Sequence, residues 1–211
     1  MINRELYMEQ ITPFIDKPFV KVITGIRRCG KSVVLRLIRE ELLRRGVSED
    51  YIIYMNFESF EWIDMKEAKA LYAHIREATK ASGKYYILLD EIQEVTDWEK
   101  AVNAFLVDLD VDIYVTGSNS RLLSSEFSTY LAGRYVAFHI MTLSFREYLL
   151  FHDLPLTISV SDRKTEFLKY LRMGGFPAIH TANYDYNAIY KIVYDIYSSV
   201  ILRDPVQRHS L

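Results

Sequence analysis

Eight consecutive residues, Gly25-Ile26-Arg27-Arg28-Cys29-Gly30-Lys31-Ser32, constrain this chain more than any other segment. They fit the spacing G-x-x-x-x-G-K-[ST] without a mismatch. The short apolar, β-branched run at 19–24 precedes them and reads as a buried strand. Beyond them Val33, Val34, Leu37, Ile38 and Leu42 recur at helical spacing, so a helix is expected over 31–45, with Gly46 where a C-capping glycine belongs. A glycine-rich turn between strand and helix leaves backbone N–H groups uncovered and ends at the positive pole of the helix dipole. Such a turn is a cradle for a chain of phosphates.

The rest of the chain repeats the alternation. Residues 51–56, 85–89, 111–115 and 135–140 read as strands, separated by helices at 65–80, 98–109 and about 120–130. Asp97 is placed to cap the second of these helices. A first helix is expected over about 4–14, closed by the turn Asp16-Lys17-Pro18. Near-continuously apolar strands alternating with helices build a parallel sheet covered on both faces, a doubly wound α/β fold. This domain is expected to span 1–145. Helices near 144–152, 161–173 and 186–202, broken at Gly174-Gly175-Phe176-Pro177, make 146–211 an all-helical appendage.

The chemistry follows from the loop. Gly25, Ile26, Arg27, Arg28, Cys29, Gly30, Lys31, Ser32 and Val33 are the candidate nucleotide-binding residues. Lys31 is placed to reach the β- and γ-phosphates of a nucleoside triphosphate, and the Ser32 hydroxyl to ligate Mg2+. Arg27 and Arg28 either contact phosphate or a neighbouring subunit, or are solvated. A thiolate at Cys29 would be favoured by the helix N-terminus, yet the residue reads as a tolerated loop position.

Strand 85–89 runs directly into Asp90-Glu91. The carboxyl ends of parallel strands face the ligand crevice, which puts Asp90 in the metal shell and Glu91 toward the γ-phosphate as general base for an attacking water. The plainer alternative is a turn cap beside an exposed carboxylate. No Asn-Lys-x-Asp element follows a strand, which argues against guanine recognition of the Ras-like kind. Small-molecule kinases usually lack a catalytic glutamate directly after the metal aspartate, so Asp-Glu favours transfer to water. Strand 111–115 continues into Thr116-Gly117-Ser118-Asn119-Ser120, where Thr116, Ser118 and Asn119 are polar candidates at the same sheet rim; the same residue types suit a helix N-cap. Arg134, just before the last strand, could supply transition-state charge in its own subunit or a neighbour's, or form a structural ion pair.

Composition narrows the partners. The formal net charge of −2 over 211 residues provides no general basic field for nucleic acid or anionic membrane. One cysteine excludes an internal disulfide, and no run of about 18 apolar residues offers a membrane span, so a soluble, cytoplasmic protein is expected. The five histidines have no metal-ligand companions at zinc-site spacing. Along 186–202, Ile189, Val193, Ile196 and Val200 form one helical stripe, and Tyr186, Tyr190, Tyr194 and Tyr197 a second beside it. With only Lys191 and Arg203 nearby, a packing face for absent C-terminal sequence or another subunit is the better reading; base stacking on nucleic acid is the weaker one.

Together these elements resemble the prokaryotic AAA-type ATP-binding proteins, within the additional-strand catalytic-glutamate P-loop ATPases. The resemblance is carried by residues 23–32, Leu88-Leu89-Asp90-Glu91-Ile92-Gln93, Thr116-Gly117-Ser118-Asn119-Ser120, Leu131-Ala132-Gly133-Arg134, Leu143-Ser144-Phe145-Arg146-Glu147-Tyr148-Leu149 and Gly174-Gly175-Phe176-Pro177. It implies a P-loop NTPase sheet of order 5-1-4-3-2, ATP rather than GTP, and Ser118 as first choice for the γ-phosphate sensor. It also implies a following winged-helix region and nuclease-like domain, most of which would lie beyond Leu211. Hydrolysis of Mg-ATP that drives a conformational change is the expected function. An ATP-bound switch with negligible turnover and a DNA-associated ATPase module are the alternatives.

Overall fold

The computed structural model describes residues 4–118, 122, 130–181 and 184–208, with side chains described through 198. The chain divides into two compact units. One comprises Glu5–Gly25 and Lys31–His139; the other comprises Met1–Arg4, Ile26–Gly30 and Ile140–Leu211.

The first unit holds the sheet. Its elements are α1 (Glu5–Ile11), β1 (Val20–Gly25), α2 (Lys31–Arg44), β2 (Ile52–Asn56), α3 (Ala68–Ala78), β3 (Tyr85–Asp90), α4 (Trp98–Asp108), β4 (Val111–Gly117) and β5 (Tyr135–Ile140). The order across the sheet is β2-β3-β4-β1-β5, the order implied by the resemblance read from the opposite edge. Parallel registers align Leu89 with Val115, Thr24 with Gly117 and Asn56 with Asp90. The expected helix at about 120–130 falls largely outside the described residues.

Alternation along each strand divides the core. On one face Val20, Val22, Met55, Ile87, Leu89, Ile113 and Val115 pack with Leu71 and Ile75 of α3 and with Trp98, Val102 and Phe105 of α4. The intervening residues, among them Ile23, Leu88 and Tyr114, are also buried, and α2 packs on β1, β3 and β4. A strand buried on both faces has no solvent side to mark with polar residues. The exceptions on β1 and β4 therefore matter. Lys21 and Asp112 are both fully buried and paired through Nζ and Oδ1. Asp112 Oδ2 also accepts the Asp16 N–H at 2.9 Å and the Tyr114 hydroxyl at 2.9 Å, and Lys21 Nζ donates to the Lys17 carbonyl at 2.9 Å.

Strands β3 and β4 run further than their apolar stretches, ending on Asp90 and Gly117. Backbone pairing continues past the last aliphatic residue because the neighbouring strands are long enough to supply partners. This places polar side chains at the carboxyl rim of the sheet.

The second unit carries α5 (Phe145–Phe151), α6 (Val160–Met173) and α7 (Tyr186–Arg208). Helix α5 starts with a capping box: Ser144 Oγ accepts the Glu147 N–H, and Glu147 Oε2 accepts the Ser144 N–H at 2.8 Å. Phe145 and Tyr148 on α5 meet Phe167 and Tyr170 on α6, while His152 and His180 close the cluster against Tyr148. His180 Nε2 lies 2.8 Å from the Gly174 carbonyl, so it carries the proton; Nδ1 then accepts from His152 Nε2 at 3.1 Å. Burial, and to a lesser degree His152, hold the His180 pKa below its ordinary 6.5. The unfolded chain thus binds this proton more tightly than the folded one. The stability gained by burying the neutral ring is present above about pH 6.5 and declines as pH falls through that value. Thermal melts at pH 7.5 and 5.5 should show a lower midpoint in acid, and His180→Gln should flatten that difference.

Among the described residues, no helix is long and apolar enough to cross a membrane.

Candidate functional site

Strand β1 delivers the chain to Gly25, and α2 takes it up at Lys31. Between them the Cys29 N–H donates to the Ile26 carbonyl at 3.3 Å, which turns the loop back on itself. Arg28 and Gly30 both have positive φ, 66° and 105°. At Gly30 the angle lies well outside the left-handed helical region, where only glycine rests without strain. Ile26, Arg27 and Arg28 are exposed and Cys29 is fully buried.

The first turn of α2 meets the end of β3. Ser32 Oγ donates to Asp90 Oδ1 at 3.1 Å. Lys31, only 4% exposed, places Nζ 3.4 Å from Glu91 Oε1. Asp90 is completely buried, a position a carboxylate holds only when its oxygens are satisfied. Besides Ser32, the Thr116 hydroxyl donates to Oδ1 at 2.5 Å and the Tyr54 hydroxyl to Oδ2 at 3.0 Å. Burial, with the Asp90 carboxylate adding to it, pushes the Tyr54 phenol up, so Tyr54 remains a donor at any physiological pH.

Glu91 turns the chain off the sheet with φ 55° and ψ 48°, a left-handed conformation for a non-glycine residue. The strain is of order 1–2 kcal/mol, and such outliers concentrate at functional sites. Besides the Lys31 ion pair, Thr116 and Gln93 hold it. Its N–H donates to Thr116 Oγ1 at 2.9 Å, and Gln93 Nε2 donates to its Oε2 at 2.5 Å. Gln93 in turn requires Gly117, since a Cβ there would lie 2.2 Å from Gln93 Oε1.

The rim thus brings together Lys31, Ser32, Asp90 and Glu91. Thr116 is the residue of its polar segment whose hydroxyl lies on Asp90. Ser118, the first choice for a sensor, contributes its carbonyl to the Leu122 N–H at 3.0 Å, and Asn119 lies outside the described residues. The β3–β4 register, which pairs Leu89 with Val115, sets Thr116 beside Asp90.

Arg134, a candidate to reach phosphate in its own subunit or a neighbour's, is not brought to this rim of its own chain. Its carbonyl accepts the N–H of Val20, the first residue of β1, while the loop leaves from the last. Five strand steps separate the two ends by roughly 16 Å. Its guanidinium instead donates to Asn103 Oδ1 on α4 at 2.9 Å. Tyr54 and Gln93 were not anticipated as site residues. Gln93 belongs to the quoted Asp-Glu-Ile-Gln run, whereas Tyr54 reaches Asp90 only through strand pairing.

A family model described as an AAA domain matches residues 17–149. The chain belongs to this family. An uncharacterized protein of Haemophilus influenzae is 41% identical over 99% of this chain and 51% of its own length. Another, from Methanocaldococcus jannaschii, is 34% identical over 100% of this chain and 46% of its own. The chain therefore spans about half the length of the curated relatives it matches. AMPPCP-bound DnaA from Aquifex aeolicus superposes with TM-score 0.54 at 14% identity, covering 99% of this chain and 66% of that one. A RuvB variant from Thermotoga maritima gives 0.53 at 15% identity, covering 96% and 65%. At such identity the likeness speaks for the fold alone. The AAA domain here is a P-loop fold of the nucleotide-binding class.

Proposed function

We propose that this AAA domain binds ATP with Mg2+ at Gly25–Ser32 and Val33 and hydrolyses it, the change of state driving movement in an attached or partner domain. The observation that carries the reading is the convergence of Lys31, Ser32, Asp90 and Glu91 at one rim, with Ser32 3.1 Å from Asp90 and Lys31 3.4 Å from Glu91. A hydroxyl beside a buried carboxylate is a hard-oxygen donor pair that suits Mg2+. Among the described residues no group of three or more His, Cys, Asp or Glu could hold a metal ion. Mg2+ tolerates this, since it takes one or two protein ligands and leans on substrate phosphates. When bound, the ion neutralises charge on the phosphate oxygens.

The chain's own groups divide the remaining tasks. Loop amides cradle the phosphates, and Lys31 leaves Glu91 to meet the added negative charge. Glu91 then accepts the proton of the attacking water, while Thr116 fixes both the Asp90 carboxylate and the Glu91 backbone. Titration with Mg-ATP tests the first step. Lys31→Ala should weaken binding by roughly 10²-fold, the loss of about 2–3 kcal/mol of charge-assisted contact. Undiminished affinity would remove the loop from the site.

One observation favours the second reading, an ATP-dependent switch with little turnover. Both Glu91 carboxylate oxygens are engaged, by Lys31 and by Gln93, so the base is restrained until nucleotide draws Lys31 away. Partner engagement is proposed through α7, where Ile189 and Ile196 are buried while Tyr186, Tyr190, Tyr194 and Tyr197 stand 46–69% exposed on another stripe. Further sequence of the longer proteins, or another subunit, is the proposed cover for that stripe.

A further inference from the structure

Arg4 is the fourth residue of the chain, yet its side chain is only 3% exposed. Among the described residues its fork reaches one carboxylate and three backbone carbonyls. Nε donates to Glu147 Oε1 at 2.5 Å and Nη2 to Glu147 Oε2 at 3.4 Å. Nη2 also reaches the carbonyls of Met141 at 3.0 Å and Thr142 at 3.5 Å. Nη1 donates to the carbonyl of Cys29, inside the phosphate loop, at 3.0 Å. The other end of this clamp is fixed as well, because Glu147 Oε2 accepts from both the N–H and the hydroxyl of Ser144.

A buried ion pair is a poor source of stability, since desolvation offsets most of the attraction. What it provides here is direction. In a trans peptide the C=O and the following N–H point to opposite sides of one plane. Holding the Cys29 carbonyl on one side of the peptide therefore turns the Gly30 N–H to the other side. The cation also polarises that peptide and strengthens its N–H as a donor to an anion. Gly30 leaves room for the contact, because a Cβ there would sit 3.3 Å from Arg4 Nη1, and its φ of 105° disfavours any side chain. Lysine would not substitute, since a single ammonium cannot span a carboxylate and several carbonyls in the fixed geometry of a guanidinium.

We propose that Arg4 is a positioning residue of the phosphate loop, holding the Cys29–Gly30 peptide so that the Gly30 amide faces the phosphates of a bound nucleotide. This rests on the nucleotide-binding reading above. The test is calorimetric titration of wild type and variants with Mg-ADP and a non-hydrolysable Mg-ATP analogue, beside thermal melts and steady-state phosphate release. Arg4→Lys keeps the charge opposite Glu147 and should weaken both ligands about tenfold, raise KM to match, and leave kcat within twofold. Arg4→Met combined with Glu147→Met removes the pair without stranding either charge and should bind as weakly as Arg4→Lys while remaining folded. The proposal is overturned if either variant, folded by its melt, binds like wild type; should Arg4→Lys not fold, the double variant decides. Failure of wild type itself to bind Mg-ATP would overturn the nucleotide reading together with this one, whereas wild-type binding with unaffected variants overturns only the role of Arg4.

Discussion

Replacing Glu91 by glutamine should slow phosphate release by roughly 10²–10⁴-fold, the usual contribution of a positioned general base, while ATP affinity changes only a few-fold. The substitution keeps the shape of the side chain and its capacity to accept from the Gln93 amide. It removes the carboxylate that would take the water's proton, and the charge that pairs with Lys31 in the absence of nucleotide. Loss of that pair should, if anything, free Lys31 for phosphate and tighten binding slightly. A steady-state phosphate assay beside an equilibrium titration separates the two effects. A variant that turns over at the wild-type rate would take hydrolysis away from Glu91 and leave the switch reading as the better account.

The largest loss of stability should come from the opposite end of the strands. Asp112→Ala leaves Lys21 buried and unpaired, in a place where burial already holds its pKa below the ordinary lysine value. It also strips acceptors from the Asp16 N–H and the Tyr114 hydroxyl. Breaking one side of a buried pair costs about 3–5 kcal/mol, a large part of the roughly 5–15 kcal/mol that holds a domain together. For a chain of this size the melting midpoint should fall by roughly 6–20 °C. Lys21→Met combined with Asp112→Leu should recover most of the loss, because neither charge is then stranded. Urea unfolding of the three proteins measures this directly, and a loss under 1 kcal/mol for Asp112→Ala would show that the cluster is solvated and energetically minor.

The contrast between loop and cluster explains what could be read from the sequence. Gly25 to Ser32 are consecutive, so their spacing alone specifies a strand, a turn and a helix. Asp90 and Glu91 were legible because an apolar strand must end somewhere, and its carboxyl end faces the crevice. Thr116 was one of three polar candidates, and only the pairing of Leu89 with Val115 shows that its hydroxyl lies on Asp90. Tyr54 sits on a strand whose register with β3 sets its hydroxyl on Asp90. Lys21 and Asp112 lie 91 positions apart and meet because β1 runs beside β4. Arg4 meets Glu147 across 143 positions. No local pattern encodes such contacts. Arg134 shows the converse, since a plausible residue type in a plausible motif lies at the amino end of β1.

The most direct test is a crystal structure of the protein with Mg2+ and a non-hydrolysable ATP analogue. The phosphate chain should lie among the amides of residues 26–32, with Lys31 Nζ moved from Glu91 to a phosphate oxygen and the metal beside Ser32 and Asp90. Nucleotide bound elsewhere, with Lys31 still on Glu91 and the loop unengaged, would contradict the account at its centre.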